Sequence, residues 1–321
     1  MALDKLQRVI IDTDPGVDDA QAILFALRLR AFQIDAVTTV FGNCPVTTAT
    51  RNARTLLELC MVDRVPIFTG AGVPLVRPPP EKYGKIVHGD NGFGDHPTPE
   101  PAYPLSPGNA AVEMARLVAD NPGEITILAL GPLTNVAMAM RIEPTFVKRV
   151  KRIILMGGVV RGPGNVGPFA TANIRNDPEA ARIVFESGAG ADVTMVGQDV
   201  TRHVRIEPPL IKAIRDHDSS VARFIGEITR FYEQAYGSDD LEPHLKGFPV
   251  HDLLVMAYAV RPDLFKTERL VVKIETTGTV TLGMTVADFR HKPDGKPNVT
   301  VCTWANAQEI LDWYRLVIIG S

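Results

Sequence analysis

Cysteine is scarce in this chain. Cys44, Cys60 and Cys302 are the only three in 321 residues, an odd number at spacings that suit no metal. That excludes a disulfide framework and a thiolate metal site, and free thiols in a reducing cytoplasm are expected. Neither charge is in surplus: 34 Lys and Arg stand against 37 Asp and Glu, a formal charge of −3. Without a basic run, nucleic acid is not an expected partner. Long hydrophobic runs are missing too, and stretches such as Val255–Val260 are far too short to span a bilayer. Residues 1–20 carry Asp4 and Lys5 and then a strand-like run ending in acidic residues, which is not the pattern of a secretory signal. What is present is ordinary: 45% hydrophobic and 22% charged residues, the composition of a soluble globular chain.

Strand and helix patterns alternate, which predicts an α/β fold with a mostly parallel central sheet flanked by helices. Short runs rich in Val, Ile and Leu mark strands at Arg8–Asp14, Ile34–Phe41, Val65–Thr69, Glu124–Leu130, Arg152–Gly157 and Asp192–Val200. Amphipathic patterns predict helices at Asp18–Arg30, Thr47–Leu59, Asn109–Asn121, Thr134–Ile142 and Pro178–Ser187, the last capped by Asp177. Two stretches break the rhythm. Residues 71–107 are proline-rich and aperiodic, and so long a connection is expected to be functional. In 208–251, helical patterns flank a polar turn, Gly237–Gly247. The tail, Arg269–Trp304, reads as a small antiparallel extension around the turn Pro293–Pro297, with a final helix after it. No repeat or linker is visible, so residues 1–321 are expected to form one domain.

The densest chemistry is Asp12-Thr13-Asp14-Pro15-Gly16-Val17-Asp18-Asp19-Ala20, between a predicted strand and a predicted helix. In a parallel sheet that junction is the carboxyl end of a strand, where open α/β folds bind ligands. Four carboxylates in eight residues repel one another. Asp18 and Asp19 suit the first turn of a helix, where the dipole favours them; Asp12 and Asp14 have no such excuse. A cation, or a hydroxyl-rich ligand donating to the carboxylates, would balance the charge. The donors are all oxygen, which suits Ca²⁺ or Mg²⁺ rather than zinc, although the EF-hand spacing is absent. A second pair, His251-Asp252, precedes the helical run Leu253–Ala259. By itself it carries little, because an Asp there is commonly just a helix cap.

In chain order, Asp14-Pro15-Gly16-Val17-Asp18-Asp19-Ala20, Leu130-Gly131-Pro132-Leu133-Thr134-Asn135, Met156-Gly157-Gly158, Gly164-Asn165-Val166, Pro249-Val250-His251-Asp252 and Gly283-Met284-Thr285-Val286 resemble the inosine–uridine-preferring nucleoside hydrolases. The resemblance runs from Arg8 to about Phe289. It implies hydrolysis of the N-glycosidic bond of ribonucleosides, one Ca²⁺ at the base of a ribose pocket, and a homodimer or homotetramer. It implies Asp14, Asp19, Asp252 and the Leu130 carbonyl as calcium ligands, with Asp14 also the general base. Asp18 would accept from the 2′-hydroxyl, Asn173 would bind ribose hydroxyls, and Asn43 would lie near the water and the sugar. His251 is the implied acid for the leaving base, and His88 the implied base-pocket contact. Tyr232 and Tyr236 either close over the base or pack as core contacts. Asn165 is implied at the 5′-hydroxyl.

One departure stands out. Where the family usually carries Glu and an aromatic residue before the ribose-binding Asn, this chain has Thr171 and Ala172 before Asn173. Loss of a carboxylate that accepts from the 5′-hydroxyl, worth about 1.5–3 kcal/mol, implies a substrate altered at the 5′ carbon, with Arg161 and Arg175 as candidate partners for an anion there. Two other readings compete. A calcium-dependent nucleoside- or ribose-binding protein would use the same pocket without turnover. A haloacid-dehalogenase-type phosphatase would use Asp12 as nucleophile and Asp14 as acid/base, but Gly16 stands where that motif wants Thr or Val.

Overall fold

The computed structural model describes residues 6–82, 84–188, 190–238 and 245–320. Its elements run β1 (Gln7–Thr13), α1 (Val17–Leu29), β2 (Phe32–Thr39), α2 (Val46–Leu59), β3 (Ile67–Thr69), α3 (Lys85–His88), α4 (Ala110–Asp120) and β4 (Thr126–Ala129). Next come α5 (Thr134–Ile142), α6 (Phe146–Arg149), β5 (Arg152–Met156), α7 (Ala172–Asn176), α8 (Pro178–Ser187), β6 (Val193–Val196), α9 (Gln198–Thr201) and β7 (Arg205–Ile206). The chain continues through α10 (Pro208–Arg215), α11 (Ser220–Gly237), β8 (Phe248–Pro249), α12 (Leu253–Val260), β9 (Phe265–Ile274), β10 (Thr285–Asp288), β11 (Val299–Ala305) and α13 (Ala307–Ile319).

Nine strands form one sheet in the order β10-β9-β11-β6-β5-β4-β1-β2-β3. The run from β11 to β3 is parallel, and only β9 opposes its neighbours, pairing antiparallel with both β11 and β10. The antiparallel tail is therefore an edge of the main sheet. Both faces are buried: Val9 and Ile11 join one apolar cluster while Ile10, between them, joins the other. That is why these strands read as unbroken hydrophobic runs.

The connectivity fixes where a ligand can sit. From β1 the chain builds outward through β2 and β3, then returns to lay β4 on the other side of β1. The carboxyl ends of β1 and β4 thus flank a switch point, and Asp14 and Leu130 are the residues delivered there.

Two expectations need correcting. The strand predicted over Asp192–Val200 ends at Val196, and α9 follows, because the Gln198 N–H turns back to the Gly158 carbonyl at 2.8 Å. Before the polar turn 237–247, two helices stand where one pattern was expected, and after it a two-residue strand precedes α12. Residues 239–244 of that turn lie outside the described residues. The long 71–107 connection is tied down rather than loose. Arg54 donates to the carbonyls of Pro101 and Tyr103 at 2.6 and 2.7 Å, and Asn52 to that of Asn91 at 2.9 Å. Asp177 caps α8 as predicted and also accepts from the Leu75 N–H at 2.9 Å.

Candidate active site

A cavity of about 380 Å³ opens over the switch point. Its wall includes Asp18, Asn43, His88, Asn165, Thr171, Asn173, Tyr232, Tyr236, His251 and Asp252, so ten of the residues singled out above meet in one place. Leu130 also lines it, while Asp14 and Asp19 lie beneath, fully buried.

The acidic floor is built by close approach. Asp14 fits only because Gly42 and Gly131 have no side chain: a Cβ at either would lie 2.0 or 2.4 Å from its carboxylate oxygens. The Asn43 N–H donates to Asp14 Oδ2 at 2.6 Å. Asp19 is held by Thr13 Oγ1 at 2.6 Å, the Gly16 N–H at 3.0 Å and Asn43 Nδ2 at 2.9 Å. By contrast, Asp14 Oδ1, Asp18 Oδ1 and Asp252 Oδ1 are buried with no hydrogen-bond partner among the described residues.

Burial raises the proton affinity of all four carboxyls. It holds Asp14 and Asp252 well above the usual carboxylate range, with neighbouring aspartates adding to the effect, and pushes Asp18 up to about 6. A cation fits this donor set. Oxygens of Asp18, Asp19 and Asp252 lie within 4.8 Å of one another. The orphaned acceptors and the absence of nitrogen or sulfur ligands both suit a hard ion. The Leu130 carbonyl already accepts from Asn173 Nδ2, which also reaches the Met156 carbonyl at 3.1 Å, but a carbonyl keeps a second lone pair.

Asp12 has a different job. It accepts from Thr38 Oγ1 at 2.6 Å and Asn135 Nδ2 at 2.8 Å, and it lines no part of the cavity. Its Oδ1 braces β1 against β2 and α5, so one of the two charges the sequence left unexplained is structural, while its Oδ2 is buried without a partner among the described residues. A phosphatase needing Asp12 as nucleophile has no access to it.

The opposite wall is aromatic and basic, yet uncharged at the histidines. Burial lowers His88 to about 4, and its Nδ1 accepts from the Val17 N–H at 3.1 Å. The 3.8 Å separation of that nitrogen from Asp18 is therefore no ion pair, and Nε2 carries the ring proton. His251 is pushed down to about 3, by burial first and then by Arg205, His88 and Arg202. Its two nitrogens face hydroxyls, Nδ1 at 2.8 Å from Thr201 Oγ1 and Nε2 at 3.2 Å from Tyr236 OH. At neutral pH His251 is a neutral imidazole, able to offer one N–H but not an imidazolium proton. Tyr232 and Tyr236 pack with ring centroids 4.9 Å apart and planes tilted by 50°, and the Tyr232 ring lies 5.5 Å from that of His88.

On the side of β5 and β6, Thr171 Oγ1 accepts from the Gly158 N–H at 2.7 Å, and Asn165 Oδ1 from the Ala172 N–H at 2.9 Å. Arg161 is engaged by Glu268 through two bonds of 3.0 and 2.9 Å, and neither it nor Arg175 lines the cavity. Among the polar lining residues, sequence reasoning missed Gln198 and Arg202, with Thr201 hydrogen-bonded to His251 beside them. Extending the β6 strand to Val200 hid Gln198, while Thr201 and Arg202 follow directly after it. The signal available was Gly197 at the end of a parallel strand beside another ligand-bearing strand end.

An α/β sheet whose switch point carries a buried carboxylate cluster beneath a ligand-sized cavity has the paired carboxyl groups that glycoside hydrolysis uses. A family model for the inosine-uridine preferring nucleoside hydrolases matches residues 9–312. Uridine nucleosidase 1 of Arabidopsis thaliana is 40% identical over 286 residues, covering 89% of this chain and 83% of that protein. The inosine-uridine preferring nucleoside hydrolase of Crithidia fasciculata is 40% identical over 297 residues, covering 89% of each. The structure of a purine-preferring ribonucleoside hydrolase from Gardnerella vaginalis superposes with a TM-score of 0.91 at 31% identity over 98% of both chains. The chain belongs to the inosine-uridine preferring nucleoside hydrolase family and is a nucleoside N-ribohydrolase. Among the described residues no helix is long and apolar enough to cross a membrane.

Proposed function

We propose that the chain cleaves the N-glycosidic bond of ribonucleosides in a Ca²⁺-dependent reaction, releasing free base and ribose. The observation that carries this reading is the trio of orphaned acceptors, Asp14 Oδ1, Asp18 Oδ1 and Asp252 Oδ1, buried beneath a cavity of ligand size. Asp14, Asp19, Asp252 and the Leu130 carbonyl would hold the ion. Bound there, calcium would acidify a water and anchor the ribose 2′- and 3′-hydroxyls.

The chain's own residues supply the rest. Asp14, dry and crowded, has the proton affinity of a general base and takes the proton of the attacking water. Asp18 accepts from the 2′-hydroxyl, and Asn173 and Asn43 meet the other side of the sugar. As the bond to the base stretches, positive charge grows on the ribose, and the carboxylate floor stabilises it. The departing base gains hydrogen bonds from the opposite wall. There a neutral His251, set between Thr201 and Tyr236, can pass a proton along the hydroxyl–imidazole–hydroxyl line as one is taken up behind it.

A second reading concerns the 5′ carbon. Thr171 carries no carboxylate and its hydroxyl already serves Gly158, while Ala172 leaves room, so a substrate altered at that carbon would meet no lost charge. The relatives named above differ in their stated preference between uridine, inosine and purines, and the choice of base stays open between them. Reducing-sugar release from inosine, uridine, cytidine, adenosine and 5′-deoxy and 5′-phosphorylated analogues, with Ca²⁺ and beside Asp14→Ala, tests the proposal. Release that vanishes in the variant supports it. Binding without release from any compound would favour a calcium-dependent binding protein instead.

A further inference from the structure

We propose that Gln198 is the specificity-determining acceptor for the substrate's 5′-hydroxyl, taking over from the carboxylate that position 171 lacks. The inference rests on the nucleosidase reading above and decides between its two versions of the 5′ side. Gln198 is 4% exposed, lines the cavity, and its Oε1 is buried with no hydrogen-bond partner. An amide oxygen left dry in a finished core is costly, and one on a side chain that lines a ligand cavity is an acceptor kept for the ligand.

Its place in the sheet says which part of the ligand. Carboxyl ends succeed one another across β1, β4, β5 and β6 in spatial order. They deliver Asp14, then Leu130, then the Met156 carbonyl that Asn173 holds, then Gln198. With strands spaced about 4.8 Å apart, a ribose anchored over β1 and β4 extends its 5′ carbon toward β5 and β6. Gln198 also adjoins position 171 directly. Its N–H donates to the Gly158 carbonyl at 2.8 Å, and the Gly158 N–H donates to Thr171 Oγ1 at 2.7 Å.

The amide selects for a hydroxyl. A primary alcohol both donates and accepts, so it satisfies a carboxamide in either orientation, whereas a 5′-methyl satisfies neither. Arg202, four residues on, lines the same cavity, so a 5′-phosphate is the competing occupant.

The test compares kcat/KM for one nucleoside with 5′-hydroxyl, 5′-deoxy and 5′-phosphate forms, in wild type, Gln198→Leu and Gln198→Glu. Wild type should favour the 5′-hydroxyl over the 5′-deoxy form by about tenfold, the worth of one net hydrogen bond. Gln198→Leu should bring that ratio to within about twofold of unity, and Gln198→Glu should keep or raise it. A wild type that favours the 5′-deoxy or 5′-phosphate form overturns the assignment, as does a ratio that Gln198→Leu leaves unchanged. In either case sugar release still upholds the nucleosidase reading. The same ratio read as binding, with ribose against 5-deoxyribose by calorimetry in the presence of Ca²⁺, decides the assignment even if no compound is turned over. Melting curves confirm that the variants fold.

Discussion

The two ends of the cavity solve the same problem, placing polar groups in a dry wall, in opposite ways. At the β1–β4 end, charge is concentrated and left deliberately incomplete: Asp19 is saturated by three donors, while Asp14, Asp18 and Asp252 each keep an empty oxygen. At the β5–β6 end no carboxylate among the described residues lines the cavity. Thr171 and Asn165 spend their oxygens on backbone N–H groups, while Gln198 keeps one empty. On the proposed reading, the first end suits a cation and a developing positive charge on the sugar, and the second suits a neutral group.

The sharpest way to break that contrast is to empty the acidic end. Asp14→Ala should lower kcat for ribose release by at least about 10³-fold, a general base and a ligand-facing acceptor being lost together. Asp14 is walled by Gly42 and Gly131, so the space left fills no better with a neighbour's side chain. Steady-state sugar release measures it; a loss under about tenfold would remove Asp14 from the chemistry.

Removing the ion comes next, and its pH dependence has a definite sign. Burial raises Asp18 to about 6 in the fold, against 3.8 ordinarily, so between those values the folded chain binds more protons than the unfolded one. Stability from that group is complete below pH 3.8 and is lost as pH rises through 6. His88 and His251 run the other way: lowered to about 4 and 3, they cost stability as pH falls below 6.5. A cation competes with the carboxyl protons and leaves the histidines aside. The gain in melting temperature on adding Ca²⁺ should therefore be larger at pH 7.5 than at pH 5. In free energy, a hundredfold excess of the ion over Kd adds about 2.7 kcal/mol of stability. Calorimetry at both pH values checks it, and an equal gain at both would detach the ion from these carboxyls.

The contrast also explains what could be read without a fold. The acidic end was legible because its logic is local: a strand, a tight turn and a helix start bring Asp14, Asp18 and Asp19 together within six residues. The mostly parallel sheet followed from the alternation of strand and helix patterns, but its strand order did not. Long-range pairings were not legible. Asp12 stood out as an unexplained charge, yet its partner Asn135 is 123 positions away and makes it a brace. Gln198 went unseen because the predicted strand runs past Gly197 to Val200, and Thr201 because nothing local marks it. Only the neighbouring β5 loop, through Gly158, shows that the chain turns there into α9. Tyr232 and Tyr236 are four apart on α11, so one face was predictable, but not that His251 and Phe248 would lie under it.

A third variant probes the wall between the ends. Tyr236→Phe removes the hydroxyl 3.2 Å from His251 Nε2 and keeps the ring packing. It should lower kcat by about 10- to 100-fold, within the lower range for proton-transfer groups, and by less for a riboside whose leaving group departs as a stable anion. Thr201→Val acts one bond further back, on His251 Nδ1, and should cost only a fewfold in kcat. Equal losses on good and poor leaving groups would mean that the line holds shape and moves no proton.

The smallest expected effect lies at Thr171, and it tests whether the neutral end is as finished as it looks. Thr171 is 1% exposed and its hydroxyl is the acceptor for the buried Gly158 N–H. Thr171→Ser keeps that oxygen and should change stability by less than about 0.5 kcal/mol. Thr171→Val keeps the shape but strands the N–H, at about 1–3 kcal/mol, read as a lower melting temperature. Because Gly158 in turn positions Gln198 through its carbonyl, the valine variant should also loosen discrimination at the 5′ carbon, while serine leaves it intact. If both variants melt alike, the Gly158 N–H finds another acceptor. The 5′ wall is then adaptable, unlike the acidic floor, where every donor around Asp19 is fixed.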